Sequence, residues 1–420
     1  MKNNPLSLLK SEFAKNSLTL VSSSFIGQAI ALLIYPLITR LFSQSDLGLY
    51  ATWLSIVDVL TILSTGKYEE SVMLGKDKRE AATTARLAMR VNTVFSLATV
   101  AVVAVIFALG KADYTVFLIP PMVFFCGTTR VYQALFNYAK AFGQMAFSNI
   151  ANSVAAAVAK LAAGFAHLTN GTLPAGSLVG QMVGNINYRI ALRRLQLPKT
   201  TWAEAKEMAS LRRNFPLFSM PKGFVNSFSY NLPFILLAYY FDNAYIGLFS
   251  LAMTCTFRPV SFFSGAFHSV LYKNFSVRYR ESQPLIPKTN KFIALNALVF
   301  IPVFVLGGVF ANYIIALLFG SQWTDCTLYL LMVLPWIFIG HLTSSLSFLP
   351  SIFSTQRTDM ILNIILFVLR LAALIIGIVY ADFALAIGLF AAVSALMSLA
   401  MLTWYYAQVR KYEKTIGREE

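Results

Sequence analysis

Six basic residues lie inside stretches that are otherwise apolar: Lys67, Arg130, Lys160, Lys222, Arg258 and Arg370. Each such charge costs about 2.5–3.5 kcal/mol at the centre of a bilayer. Six facing lipid would cost on the order of 15 kcal/mol, comparable with the whole net stability of a folded protein, about 5–15 kcal/mol. They therefore require water, a counter-charge or a ligand. The acids within the same stretches are Asp58, near the middle of its segment, and Glu69 and Glu70 near its inner end. Lys67 and Glu70 are three residues apart and can pair on one helix face. Even with every acid paired, three of the six cations are left over. Such an excess suits an anion, and phosphate in particular: Arg offers it two parallel hydrogen bonds, and Lys acts as a point charge.

Position along each segment separates the options. At about 1.5 Å rise per residue, Arg258 and Arg370 come closest to mid-membrane and Lys160 sits toward the outside. Lys67, Arg130 and Lys222 lie nearer a surface, where a basic side chain can snorkel to the interface. Arg130 has a further option, a tie between helices near Tyr132 or Gln133. Asp58 is either a counter-ion or a protonatable coupling group, and Glu69 shares the second role. Asn231 ends a hydrophilic run, Asn226-Ser227-Phe228-Ser229-Tyr230-Asn231, whose amides, hydroxyls and rings suit a sugar or else join helices. His341 reads as a hydrogen-bonded packing histidine rather than a proton relay.

The segments carrying these residues dominate the chain. Of 420 residues, 57% are hydrophobic and 12% charged, with mean hydropathy +0.64. Soluble proteins carry about 25% charged residues, so lipid is the expected solvent for most of this chain. Apolar windows fall at 17–41, 47–74, 85–110, 114–139, 145–167, 174–195, 215–241, 244–272, 290–318, 325–354, 360–380 and 383–407. Each can cross a hydrocarbon core of about 30 Å, and each should be helical, because lipid offers backbone groups no other partner. Lys and Arg number 34 against 18 acids, a net charge of +16. Such an excess suggests nucleic acid, but its distribution excludes that partner. With the N-terminus inside, 26 basic residues fall on the cytoplasmic side, Lys2, Lys10 and Lys15 among them, against Arg40 and Lys111 outside. This positive-inside bias places both termini in the cytoplasm.

The outside connectors are too short to hold a catalytic domain, and no HExxH, GxSxG, Walker lysine or loop DxD pair is present, so an enzyme is not expected. Cys126, Cys255 and Cys326 lack CxxC or Cys/His spacing, which excludes a disulfide framework and leaves no metal or cofactor to expect. The longest inside connector, 196–214, contains TWAEAKEMASLRR and reads as an amphipathic surface helix joining a lobe 1–195 to a lobe 215–420. The two lobes look related. A shift of 199 residues sets Leu41–Tyr50 against Tyr240–Phe249, with Phe42, Gly48 and Leu49 meeting identical residues, each segment following a proline-bearing span. Six spans per half makes the repeat parallel, with a cleft between lobes. The expected fold is an all-α polytopic membrane protein, twelve transmembrane helices in two six-helix lobes around a central cavity.

From Leu47 the stretch LGLYATWLSIVDVLTILSTGKYEESVMLGKDKREA resembles the second-span signature of Wzx-type polysaccharide flippases: a Gly-x-Tyr start and a Tyr-Glu pair, Tyr68-Glu69, before a basic loop. Leu74-Gly75-Lys76 departs from the Leu-Pro-Lys common there. FPLFSMPKGFVNSFSYNLPFILLAYYF from Phe215 resembles the family's seventh span, and Arg258-Pro259 sits where an eighth-span Arg or aromatic residue precedes proline. The resemblance covers about residues 5–410. It implies membership of the multidrug/oligosaccharidyl-lipid/polysaccharide exporter superfamily, in a bacterial inner membrane. It further implies flipping of an undecaprenyl-pyrophosphate-linked oligosaccharide to the periplasmic leaflet by alternating access, for O-antigen or a related surface glycan, alongside other polysaccharide assembly proteins. Lys67, Arg130, Lys160, Lys222, Arg258, Arg370 and Asn231 would then contact substrate, and Asp58 or Glu69 would take a coupling proton or sodium ion. The alternatives are a multidrug or other lipid-linked precursor transporter of the same superfamily and, in a different class, a membrane glycosyltransferase or polymerase.

Overall fold

A computed structural model describes residues 30, 32–110, 113–168 and 171–416. Residues 17–29 of the first expected span, the basic residues Lys2, Lys10, Lys15 and Lys111, and the last four residues lie outside them. The described chain is helical, without a strand. It opens with α1 (Leu32–Leu41), α2 (Gln44–Ser64), α3 (Lys78–Ala108), α4 (Ile119–Tyr138), α5 (Phe142–Phe165), α6 (Thr172–Leu192), α7 (Trp202–Leu211) and α8 (Met220–Tyr240). It continues with α9 (Asn243–Arg280), α10 (Ile286–Val309), α11 (Ala311–Phe319), α12 (Cys326–Ser345), α13 (Gln356–Val379) and α14 (Phe383–Ile416).

Among the described residues, eight helical segments are long and apolar enough to cross a membrane: α2, α3, α4 with the turn before it, α9, α10, α12 with the turn after it, α13 and α14. The remaining expected windows hold α5, α6 and α8, of 24, 21 and 21 residues, and the described part of α1. Asn, Gln, Ser and Lys dilute the apolar character of α5, α6 and α8. Large apolar side chains stand exposed along the spans, among them Val94, Leu97, Val102 and Val105 on α3 and Leu298, Val303 and Val309 on α10. Continuous faces of this kind belong against acyl chains.

Local sequence sets the helix ends. Ser43 caps α2 with a reciprocal Asp46 contact, and Asp242 caps α9 by accepting from the Ala244 N–H. The first residues of α2 and α9, Gln44 and Asn243, are 199 apart, the shift at which the two halves align. Leu47 and Ile246 are both fully buried at matching positions. The repeat also reaches the third helix of each half. There a buried asparagine meets the fourth helix: Asn92 donates to the Phe124 carbonyl and Thr128, and Asn296 meets the His341 ring.

The chain divides into two compact units, one ending at Asn231 and the other beginning at Leu232. The connector expected between lobes, 196–214, thus falls within the first unit, because α7 docks on the start of α3. Arg79 bonds Glu204 at 2.5 and 3.0 Å, Arg90 lies over the Trp202 ring, and Arg212 donates to the Leu74 carbonyl at 2.9 Å. Within this unit α6 packs along α5 through Gly176, Gly180 and Gly184. A Cβ on Gly180 would stand 2.6 Å from both Ala156 Cβ and the Asn152 carbonyl oxygen. Small residues every fourth position let two helix backbones approach where lipid supplies no hydrophobic force between them.

Gly180→Leu is expected to overpack this seam and cost about 1–3 kcal/mol, seen as a lower Tm of the purified protein. Gly143→Leu, where a Cβ meets nothing within 4 Å, should leave Tm unchanged. The α7 contact should also depend on pH. The Thr201 N–H and the Arg79 guanidinium hold the Glu204 carboxyl below the usual carboxylate range. Its contribution is therefore present above the unfolded carboxylate value, about 4.3, and disappears as pH falls through the lower folded value. Amide exchange across 202–211, corrected for intrinsic rate, should accelerate only in that acid range.

Candidate functional site

Two of the six intramembrane cations are consumed by the fold. Arg370 on α13 is 4% exposed; its Nε donates to Ser394 Oγ at 2.8 Å, and its guanidinium lies 5.1 and 4.9 Å from the Trp336 and Phe390 ring centroids. Helices α12 and α14 thus enclose it. Lys160 on α5 donates to the Tyr50 hydroxyl at 2.7 Å with its ammonium 4.5 Å from the same ring, while Tyr50 bonds Ser177. That lysine joins α5 to α2 and α6. A cation near an aromatic ring gains about 0.5–2 kcal/mol depending on its exposure, and Lys160 is half-buried.

Four cations remain accessible or in electrostatic clusters. In the first unit, α2 stops at Ser64 because Gly66 and Lys67 both adopt left-handed backbone, φ 59° and 60°. A lysine in that region is strained. The chain then folds into a helical turn, Tyr68–Ser71, carrying both glutamates. Lys67 Nζ bonds Glu70 Oε1 at 2.6 Å. Its Cε would lie 3.0 Å from a Cβ on Gly223 of α8, so the lysine stem runs against the α8 backbone beside the exposed Lys222. Glu69 turns inward instead. It is 5% exposed, sits beside Thr65, and feels the charges of Lys67 and the half-buried Arg130. Neither Glu69 Oε2 nor Thr65 Oγ1 has a hydrogen-bond partner among the described residues. Asp58 is exposed on α2, within electrostatic reach of Cys126, as is Arg130. Within the first unit Arg130 of α4 thus interacts with Glu69 of the turn after α2, as Lys67 does, and shares Cys126 as an electrostatic neighbour with Asp58 of α2.

In the second unit Arg258 stands exposed midway along α9, immediately before Pro259, and forms no ion pair among the described residues. At the end of the first unit, the Asn231 side-chain amide N–H donates to the Ser227 carbonyl at 3.0 Å and to its hydroxyl at 3.3 Å, within its own helix. His341 is the packing residue expected. It is 2% exposed, with Nδ1 2.7 Å from Ser264 Oγ and Nε2 3.0 Å from Asn296 Oδ1. No group of three metal-ligating side chains occurs among the described residues.

Sequence reasoning overlooked the buried polar network behind these cations. Asn185 on α6 bonds Thr129 and the Phe125 carbonyl of α4, and Gln133 and Tyr188 meet at Asn149 of α5. The signal was present as asparagines within apolar windows.

Arg370→Leu is expected to cost about 2–4 kcal/mol from the lost ring contacts and charged hydrogen bond, lowering Tm. Arg258→Gln should leave Tm within experimental error, since the fold does not use that guanidinium.

Comparison with known proteins places this geometry. Residues 37–328 match the model of a family described as polysaccharide biosynthesis protein. Among solved structures, the lipid II flippase MurJ in an inward closed conformation is similar with a TM-score of 0.72 at 13% identity, covering 94% of this chain and 90% of that one. An inward-facing multidrug resistance MATE family transporter of the MOP superfamily reaches 0.64 at 13% identity, covering 94% and 96%. The eukaryotic MATE transporter AtDTX14 reaches 0.60 at 12%, covering 96% and 97%. At such identities the likeness establishes the fold. No curated protein matches the sequence.

Proposed function

We propose a function from one premise: the chain belongs to the polysaccharide biosynthesis protein family, which its residues 37–328 match, and it has the fold of the MOP-superfamily transporters. On our reading it flips an undecaprenyl-pyrophosphate-linked oligosaccharide from the cytoplasmic to the periplasmic leaflet of a bacterial inner membrane by alternating access, for O-antigen or a related surface glycan. Both termini are cytoplasmic on this reading. The observation that carries it is Arg258: an exposed guanidinium midway along a 38-residue membrane helix, with no carboxylate paired to it among the described residues.

Such a group is tolerable where water or an anion reaches it. A pyrophosphate supplies several acceptor oxygens and matches the bidentate geometry of arginine. Lys67, Lys222 and Arg130 add positive charge in the first unit, and the polyprenyl tail needs no polar partner because it stays in lipid. Lys160 and Arg370, enclosed as they are, take a supporting role that holds their helices in place. Asn231 and its hydrophilic run are left to the sugar. Asp58 or Glu69 takes the coupling ion, a proton or sodium. A carrier of cationic drugs would need acids in excess, and this chain has the reverse.

Arg258→Gln should abolish surface glycan in cells, with the variant still present in the membrane at wild-type level. Lipid-linked repeat units should accumulate on the cytoplasmic side. Normal surface glycan in that variant would reject the reading.

A further inference from the structure

Glu69 and Glu70 are neighbours in sequence, yet the break after α2 gives them opposite situations. Glu69 is buried. Glu70 has a side chain 48% exposed, while the Lys67 side chain it bonds is only 16% exposed. The lysine stem is confined by the α8 backbone at Gly223. The carboxylate alone is free to swing away. Lys67 is therefore a confined cation whose present partner is removable, packed against Gly223, whose neighbour in sequence is the exposed Lys222.

We propose that Glu70 occupies, in the empty protein, the place of the substrate's phosphate on Lys67, and that substrate binding displaces it. This deepens the proposed function and rests on it. The exchange is of one anionic oxygen for another on the same ammonium, without bond making or proton transfer. A pyrophosphate has the advantage over a carboxylate because it carries more charge and can engage Lys222 at the same time. The exposed pair it must break is weak. Glu70 thereby keeps Lys67 from holding chloride, free phosphate or lipid headgroups, each carrying less charge than a diphosphate, and raises the threshold for an anion to enter. Gly223 belongs to the same device, because a side chain there would press on Lys67 Cε.

The test is binding of inorganic pyrophosphate to the purified full-length protein in detergent, by titration calorimetry at fixed ionic strength. Wild type, Glu70→Gln, Lys67→Gln and the double variant are compared, each checked for a monodisperse elution profile. Freed of its competitor, Glu70→Gln should bind about twofold to fivefold tighter than wild type, the range expected from an exposed pair. Lys67→Gln should bind more weakly, and Glu70→Gln should give no gain on the Lys67→Gln background. A Glu70→Gln protein with wild-type affinity, or a gain that persists without Lys67, overturns the displacement while leaving the proposed function standing. Absence of pyrophosphate binding in wild type and Glu70→Gln alike would overturn both.

Discussion

A charged side chain placed in hydrocarbon must find a partner or a path to water, and this constraint orders the whole molecule. The chain meets it in two ways. Arg370 and Lys160 are satisfied by rings and hydroxyls from neighbouring helices, so each works as a fastener that also explains its own presence. Arg258 and Lys222 are left exposed, and exposure within a membrane helix is stable only beside water or an anion. Residues of one chemical type have thus been divided by packing into a set engaged by neighbouring helices and a set left exposed. The division follows the surroundings: the two engaged cations lie near aromatic rings of neighbouring helices.

Legibility in the sequence followed the range of the interaction. The helices could be read because hydropathy and backbone satisfaction act within one segment, and the cap at Ser43 and its counterpart Asp242 lie within four residues of what they bond. The Lys67–Glu70 pair was legible for the same reason, although it forms across a broken helix rather than along a regular one. Arg370 and Arg258 could not be told apart in this way. Both lie mid-span, and the difference resides in Trp336, Phe390 and Ser394, brought to Arg370 from other helices. The placement of 196–214 in the first unit was illegible likewise, since it depends on Arg79 meeting Glu204, a contact between residues 125 apart. The glycine seam of α6 was within reach, because Gly176, Gly180 and Gly184 recur at the spacing of one helix face.

The two halves repeat a scaffold while differing in charge. Equivalent helices begin 199 residues apart, and each third helix sends a buried asparagine to the fourth. Yet at nearly equal depth α2 presents the acid Asp58 and α9 the base Arg258, both exposed. The scaffold therefore sets where a charge can stand, and the sign of the charge varies independently of it. A binding surface can in this way become more positive without disturbing the packing that the repeat enforces.

The C-terminal parts of these helices carry the divergence further. Thr65 and Ser264 occupy equivalent positions at the 199-residue shift. In the second unit Ser264 is bonded to His341, and α9 runs on without interruption to Arg280. In the first unit the Thr65 hydroxyl lacks such a partner among the described residues, and the chain there turns through Gly66 and Lys67 in left-handed conformation. Without that turn, helical continuation would carry Lys67, Glu69 and Glu70 along one unbroken helix, as in α9. The break instead sends one glutamate into the core and holds the other against a lysine pinned by α8. A local backbone strain, at a place where α9 continues as helix, thus gives two neighbouring glutamates opposite situations, one buried and one exposed.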